Sequence, residues 1–202
     1  MPTLTSEEIK RLVQKKLVVI TGDVDDITYK NTSTVLLELL LAGSPDITVV
    51  IDSGGGNVGA GLDVYDLLKN YPGHTTGIVL RRAASMAAVI LQACDERIAA
   101  THADILIHHI SRDNVSLDVL NDATGQKLAE LREGMLKRQN YLYVILAERT
   151  KKSVEEISKV CLKDVPMFAQ EAMDFGLIDR TLLREDMSKR FHIDPDNGPT
   201  TK

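Results

Sequence analysis

Along the chain, short continuous apolar runs alternate with longer stretches of helical spacing. Thr5 and Glu8 form a T-x-x-E capping box, which predicts a helix running to about Lys15. "LVVIT" (17–21) is a continuous apolar run ended by Gly22, the pattern of a buried strand. From about Thr28 to Leu41 leucines and valines recur at helical spacing, and "GSP" breaks the helix. "ITVVID" (47–52) predicts a second strand, followed at once by "SGGGN", and a helix from about Val58 to Lys69 stops at Pro72 and Gly73. "TGIVL" (76–80) is a third strand, and a short one falls near "ADILIH" (103–108). Strand, turn and helix alternate, so the expected class is α/β with a mainly parallel sheet.

The second half reads differently. Residues from about Ser116 to Arg149 contain no proline and read as helical despite Gly125 and Gly134. One helix of that length would approach ~50 Å at ~1.5 Å per residue. It is therefore either a protruding arm or two helices broken near a glycine. A helix follows in "KKSVEEISKV", and "GLID" (176–179) is a late strand or turn. No repeat or internal boundary is visible, so one domain is expected over 1–187. The tail from 188 to 202, ending "HIDPDNGPTTK", is polar with two prolines and is expected to be disordered.

Composition narrows the function classes. At 202 residues the chain can bury a substantial core, and 44% hydrophobic with 26% charged residues fits a globular protein. No apolar run reaches the ~18 residues of a membrane span, and the N-terminus lacks a signal-peptide pattern. A net charge of −5 argues against nucleic acid as a partner. Cys94 and Cys161 are isolated and fit no metal spacing, so a reduced, cytoplasmic location is expected.

"RRAASMAAVI" (81–90) surrounds Ser85 with small residues. A crowded strand-to-helix turn needs such neighbours, as in the G-x-S-x-G nucleophile elbow, here A-x-S-x-A. The competing reading is a serine capping an Ala-rich helix. In "DSGGGN" (52–57), Gly54, Gly55 and Gly56 let backbone N–H groups point outward. That turn is either a phosphate loop, though without the P-loop lysine, or an oxyanion donor paired with the N–H after Ser85. A serine needs a base, and five histidines are present. His74 and His192 read as exposed and His102 as a loop residue, whereas His108 and His109 end an apolar strand. Spacing alone selects no carboxylate to orient the imidazole.

Together these stretches resemble the ClpP family of self-compartmentalising serine proteases. The likeness runs through "RLVQKKLVVITGDVDD", "ITVVIDSGGGNVGAGLDVYDLL", "AASMAAVILQAC", "ILIHHI" and "KDVPMFAQEAMDFGLID", covering roughly residues 11 to 180. The resemblance implies the spiral of parallel strand–helix units shared with crotonases, with a protruding handle helix. It implies Ser85 as nucleophile, His108 rather than His109 as base, and Asp164 as the orienting acid. It places the oxyanion on the N–H groups of Gly56 and Met86. It further implies peptide or unfolded-protein substrates, a heptameric ring, alone or paired as a tetradecamer, and no metal or organic cofactor. ATP would be used only by a partner AAA+ unfoldase.

Several positions depart from the family pattern. Gly54 stands for its proline, and Arg81–Arg82 for a glycine–glutamine pair. "SRDNVSLDVLND" replaces a glycine-rich segment, and Leu162–Lys163 an acid–arginine pair before the aspartate. Set against the family pattern, a shortened N-terminal pore segment is expected. Two alternatives follow: a crotonase-type acyl-CoA hydratase or isomerase, and a catalytically weak ClpP-like ring subunit.

Overall fold

The computed structural model describes residues 2–111 and 116–191; the tail from 192 lies outside the described residues. Where one domain is expected over 1–187, the chain groups into two compact units. One comprises Met1–Leu106 and the stretch from Pro166 onward, the other Ile107–Val165.

The first unit is a parallel sheet with helices. Its elements begin with α1 (Ser6–Lys15), β1 (Leu17–Val24), α2 (Asp26–Leu41), β2 (Ile47–Gly56), α3 (Val58–Lys69) and β3 (Thr75–Ala84). They continue with α4 (Met86–Leu91), β4 (Glu96–Ala99) and β5 (Asp104–Leu106). After the second unit the chain returns as α8 (Ala169–Phe175), β6 (Arg180–Thr181) and α9 (Arg184–Phe191). The strand order is β1-β2-β3-β4-β6, β5 pairs with β3 beyond the end of β4, and these six strands pair with one another in parallel. Caps set the helix starts: Thr5 and Glu8 form the expected capping box, and Asp25 and Asn57 accept from Thr28 and Ala60 N–H groups.

Val18, Ile20, Val49, Ile51, Ile78, Val79 and Ile98 are buried on β1 to β4, and all six residues of α4 are buried. A helix enclosed on every side has no polar face to show, which explains why "MAAVIL" carries none. The approach of α4 to β3 is close. A Cβ on Gly77 would lie 2.7 Å from Leu91 Cδ1 and 3.0 Å from Cys94 Sγ.

Two strands are longer than the apolar runs suggest. β2 continues through the glycines, with Gly55 and Gly56 paired to Asp23 and Val24 after a register shift. β3 continues through Arg81 and Arg82 to Ala84, where Arg82, Ala83 and Ala84 pair with Asp104, Ile105 and Leu106. The last expected strand is shorter: "ADILIH" is strand only over β5, and "GLID" is a turn that leads into β6. β4 carries no long apolar run and is held by position, between β3 and β6. Arg97, 5% exposed, donates to the Asp179 carboxylate, the Gln92 side chain and the Gly176 carbonyl. Arg180 joins Glu96 to Asp186. Residues far apart in sequence thus fix the C-terminal segment to the sheet.

The second unit holds α5 (Leu117–Leu120), α6 (Gln126–Thr150) and α7 (Val154–Lys163). Of the two readings of 116–149, the structure has the pair of helices. Gly125 precedes α6 at φ +69°, and Asp122 accepts from the N–H groups of Thr124 and Lys127 at 3.1 and 2.8 Å. Those bonds serve the start of α6 in place of a side chain at its own cap. The 25 residues of α6 span about 38 Å. Leu142, Ile145 and Leu146 on α6 and Ile157 and Cys161 on α7 are buried, and the Tyr143 and Ser158 hydroxyls meet at 3.2 Å.

Candidate active site

Ser85 stands where β3 turns into α4, at φ 55°, ψ −125°. A side chain at positive φ costs about 1–3 kcal/mol, so the surrounding structure must enforce it. Both ends of the residue are held. Its N–H donates to the Leu106 carbonyl at 2.8 Å, and its own carbonyl accepts from Ala88 N–H at 3.0 Å. Ser85 occupies the N-cap position of α4, yet its hydroxyl makes no capping hydrogen bond. The capping reading of this serine is therefore not what the fold shows. Ala83, Ala84, Met86, Ala87 and Ala88 are all buried around it, so bulk at the alanines has nowhere to go.

The glycine turn at the end of β2 lies directly against this elbow. A Cβ on Gly55 would sit 2.6 Å from Ser85 Cβ, 2.7 Å from the Ala84 carbonyl oxygen and 2.9 Å from Met86 N. Gly55 also has φ +94°, so contact and conformation both demand glycine. Gly56 is at φ +152°, and its Cβ would strike the Val24 carbonyl oxygen at 2.4 Å. Gly54 faces open space. Ser53 fixes the turn, donating to the Gly22 carbonyl at 2.6 Å and accepting from Gly55 N–H at 3.0 Å. Met86 opens α4, so its N–H has no carbonyl one turn back to bond within the helix. Spacing marked the triple glycine but could not tell its members apart; Gly55 is the one that admits the elbow.

His108 and Asp164 belong to the second unit. His108 Nδ1 lies 3.9 Å from Asp164 Oδ1, longer than a hydrogen bond, with side chains 25% and 65% exposed. Asp164 caps α7 at its C-terminus in a left-handed conformation, φ 50°. His109 turns elsewhere. Its ring meets Tyr143 of α6 edge-on at 6.1 Å, and its Nε2 is buried without a hydrogen-bond partner. The backbone is fixed just beyond, where Ile110 N–H donates to Gln139 Oε1 at 2.6 Å. Among the described residues, His108 has a carboxylate beside it and His109 has none. His74 lies on the surface 3.7 Å from Asp95, and His102 is exposed; His192 is outside the described residues. The proposed site residues therefore fall into two sets: Ser85, Gly56 and Met86 in one unit, His108 and Asp164 in the other.

Among the described residues, no cluster of three or more His, Cys, Asp or Glu side chains could hold a metal ion. No helix among them is long and apolar enough to cross a membrane.

Comparison with known proteins adds an independent line. The family model described as Clp protease matches residues 3–185. ATP-dependent Clp protease proteolytic subunit 3 of Rhodococcus jostii (strain RHA1) is 33% identical over 180 residues, 85% of this chain and 83% of the relative. The ATP-dependent Clp protease proteolytic subunit of Streptococcus sanguinis (strain SK36) is 30% identical over 185 residues, 88% and 90% of the two chains. That of Ligilactobacillus salivarius (strain UCC118) is 32% identical over 177 residues, 84% of each. These relatives match nearly end to end, with the strained serine turn and its glycine support inside the matched region. The chain belongs to the Clp protease family.

Proposed function

We propose that this chain is a serine endopeptidase, the proteolytic subunit of an ATP-dependent protease, and that Ser85, His108 and Asp164 form its triad. The observation that carries the reading is the elbow: a family serine held at positive φ, with a hydroxyl uncommitted to its helix. In the reaction Ser85 Oγ attacks the peptide carbonyl while His108 takes its proton, then returns it to the leaving amine. The acyl-enzyme is hydrolysed by water in the reverse sequence. Asp164 orients the imidazole and stabilises the imidazolium. The Gly56 and Met86 N–H groups receive the oxyanion, and each such donor is worth roughly 10²–10³ in rate.

Chain connectivity supports this grouping. Leu106, which accepts the Ser85 N–H, is two residues before His108. Met167, paired with Ile105 in both directions, is three residues after Asp164. The 3.9 Å imidazole–carboxylate separation has to shorten by about 1 Å to form the triad's hydrogen bond, as catalytic contacts often do when substrate binds.

Assembly into a ring of seven, single or paired, belongs to the same reading, as do an AAA+ unfoldase partner, unfolded-protein substrates and a cytoplasmic location. Leu37, Leu40 and Leu41 on α2 and Leu80 on β3 are exposed, and so are Leu128, Leu136 and Tyr141 on α6. Apolar surface on that scale suits contact with further copies. Hydrolysis itself would need no metal or organic cofactor, ATP being consumed by the unfoldase. The test is cleavage of a fluorogenic peptide by the purified chain. Wild type should cleave and Ser85→Ala should not; equal rates in the two would end this reading.

A further inference from the structure

The strand that delivers Ser85 carries two arginines just before it, and they differ in their partners. Arg81 Nε lies 3.0 Å from Asp52 Oδ1, with its side chain three-quarters exposed. Arg82 is half-buried and has no such pair among the described residues; its Nε is enclosed without a hydrogen-bond partner. A buried donor left unmatched is a standing cost to the fold. The neighbouring acid is Asp104, beside Arg82 in the β3–β5 register, yet the two side chains do not pair. Arg82 is two residues short of the end of β3, near the carboxyl edge at which ligands of parallel sheets are held, and Asp104 opens β5 beside it.

Arg82 is three residues before Ser85, a span of about 10 Å along a strand. An extended substrate rises by the same amount per residue. A carboxylate two or three residues from the scissile carbonyl therefore matches the distance between nucleophile and guanidinium. We infer that Arg82 is a specificity-determining residue for the peptide hydrolysis proposed above, favouring substrates with Asp or Glu two or three residues from the cleaved bond. The inference rests on that reading of Ser85. Asp104, beside Arg82 in register but not paired with it, sets a second negative charge near the substrate carboxylate and so opposes its binding.

The experiment compares fluorogenic peptides that differ only by Asp against Asn at each of those positions, on either side of the bond. With wild type, Asp should raise kcat/KM about tenfold at one or more positions, mainly through KM, the scale of one charge-assisted hydrogen bond. Arg82→Gln should bring the Asp-to-Asn ratio close to one, Arg82→Lys should keep part of it, and Asp104→Asn should increase it. A wild-type ratio of one throughout overturns the inference, as does a ratio that Arg82→Gln leaves unchanged. So does native mass spectrometry in which Arg82→Gln alone breaks up the assembly, since the guanidinium then serves a neighbouring copy. If Asn peptides are cleaved by wild type and not by Ser85→Ala, the protease reading survives any of these failures. If no peptide is cleaved, both fall.

Discussion

At the scale of single residues, the two adjacent histidines give the sharpest contrast. His108 lies beside a carboxylate, whereas His109 is set edge-on to Tyr143. His108→Ala should therefore lower kcat for peptide cleavage by several orders of magnitude, while His109→Ala retains most of it, measured on the same fluorogenic peptide. Asp164→Asn should also lower kcat strongly with the particle intact, because an amide can hold the wrong tautomer and cannot stabilise the imidazolium. A near-normal kcat in that variant would mean that another group orients His108. From the sequence, Ser85 and the two histidines were legible because small neighbours and an apolar run mark them. Asp164 was not, since it closes a helix in an exposed position and only the family likeness singled it out. The positive φ at Ser85, which separates an elbow from a cap, is a backbone property that no residue type states.

Among the elements, the glycine turn and the long helix invite substitution. Gly55→Ala adds a Cβ against Ser85, Ala84 and Met86 at a backbone angle that alanine resists. The expected loss is roughly 2–4 kcal/mol, from left-handed strain plus overpacking, with activity falling alongside. Gly54→Ala meets nothing within 4 Å and should leave both the denaturant midpoint and turnover nearly unchanged. Equal behaviour of the two variants would show that the turn does not support the elbow. Within α6, a Cβ at Gly134 also meets open space, so Gly134→Ala should stabilise the fold by about 0.5–1 kcal/mol in thermal unfolding. A lower melting temperature would mean that another surface packs on this glycine. Periodicity located most helices well, because their caps are local: Thr5 with Glu8, and Ser153 with Glu156. It missed β4, and it ended β2 and β3 early, because those residues are strands through pairing with distant segments rather than through an apolar pattern.

For the whole molecule, the question is how one chain of 22.3 kDa accommodates its exposed leucines. The proposed answer is assembly, and native mass spectrometry should give about seven or fourteen times that mass; a monodisperse monomer would contradict the ring. The serine is nonetheless the centre of the account, since the family, the elbow and the glycine support converge on it. The most direct measurement is the site of covalent modification by a fluorophosphonate, mapped by peptide mass spectrometry on the assembled wild-type protein. The account predicts a single stoichiometric adduct on Ser85, absent from His108→Ala. An adduct on another serine, or none on a preparation that cleaves peptides, would contradict it.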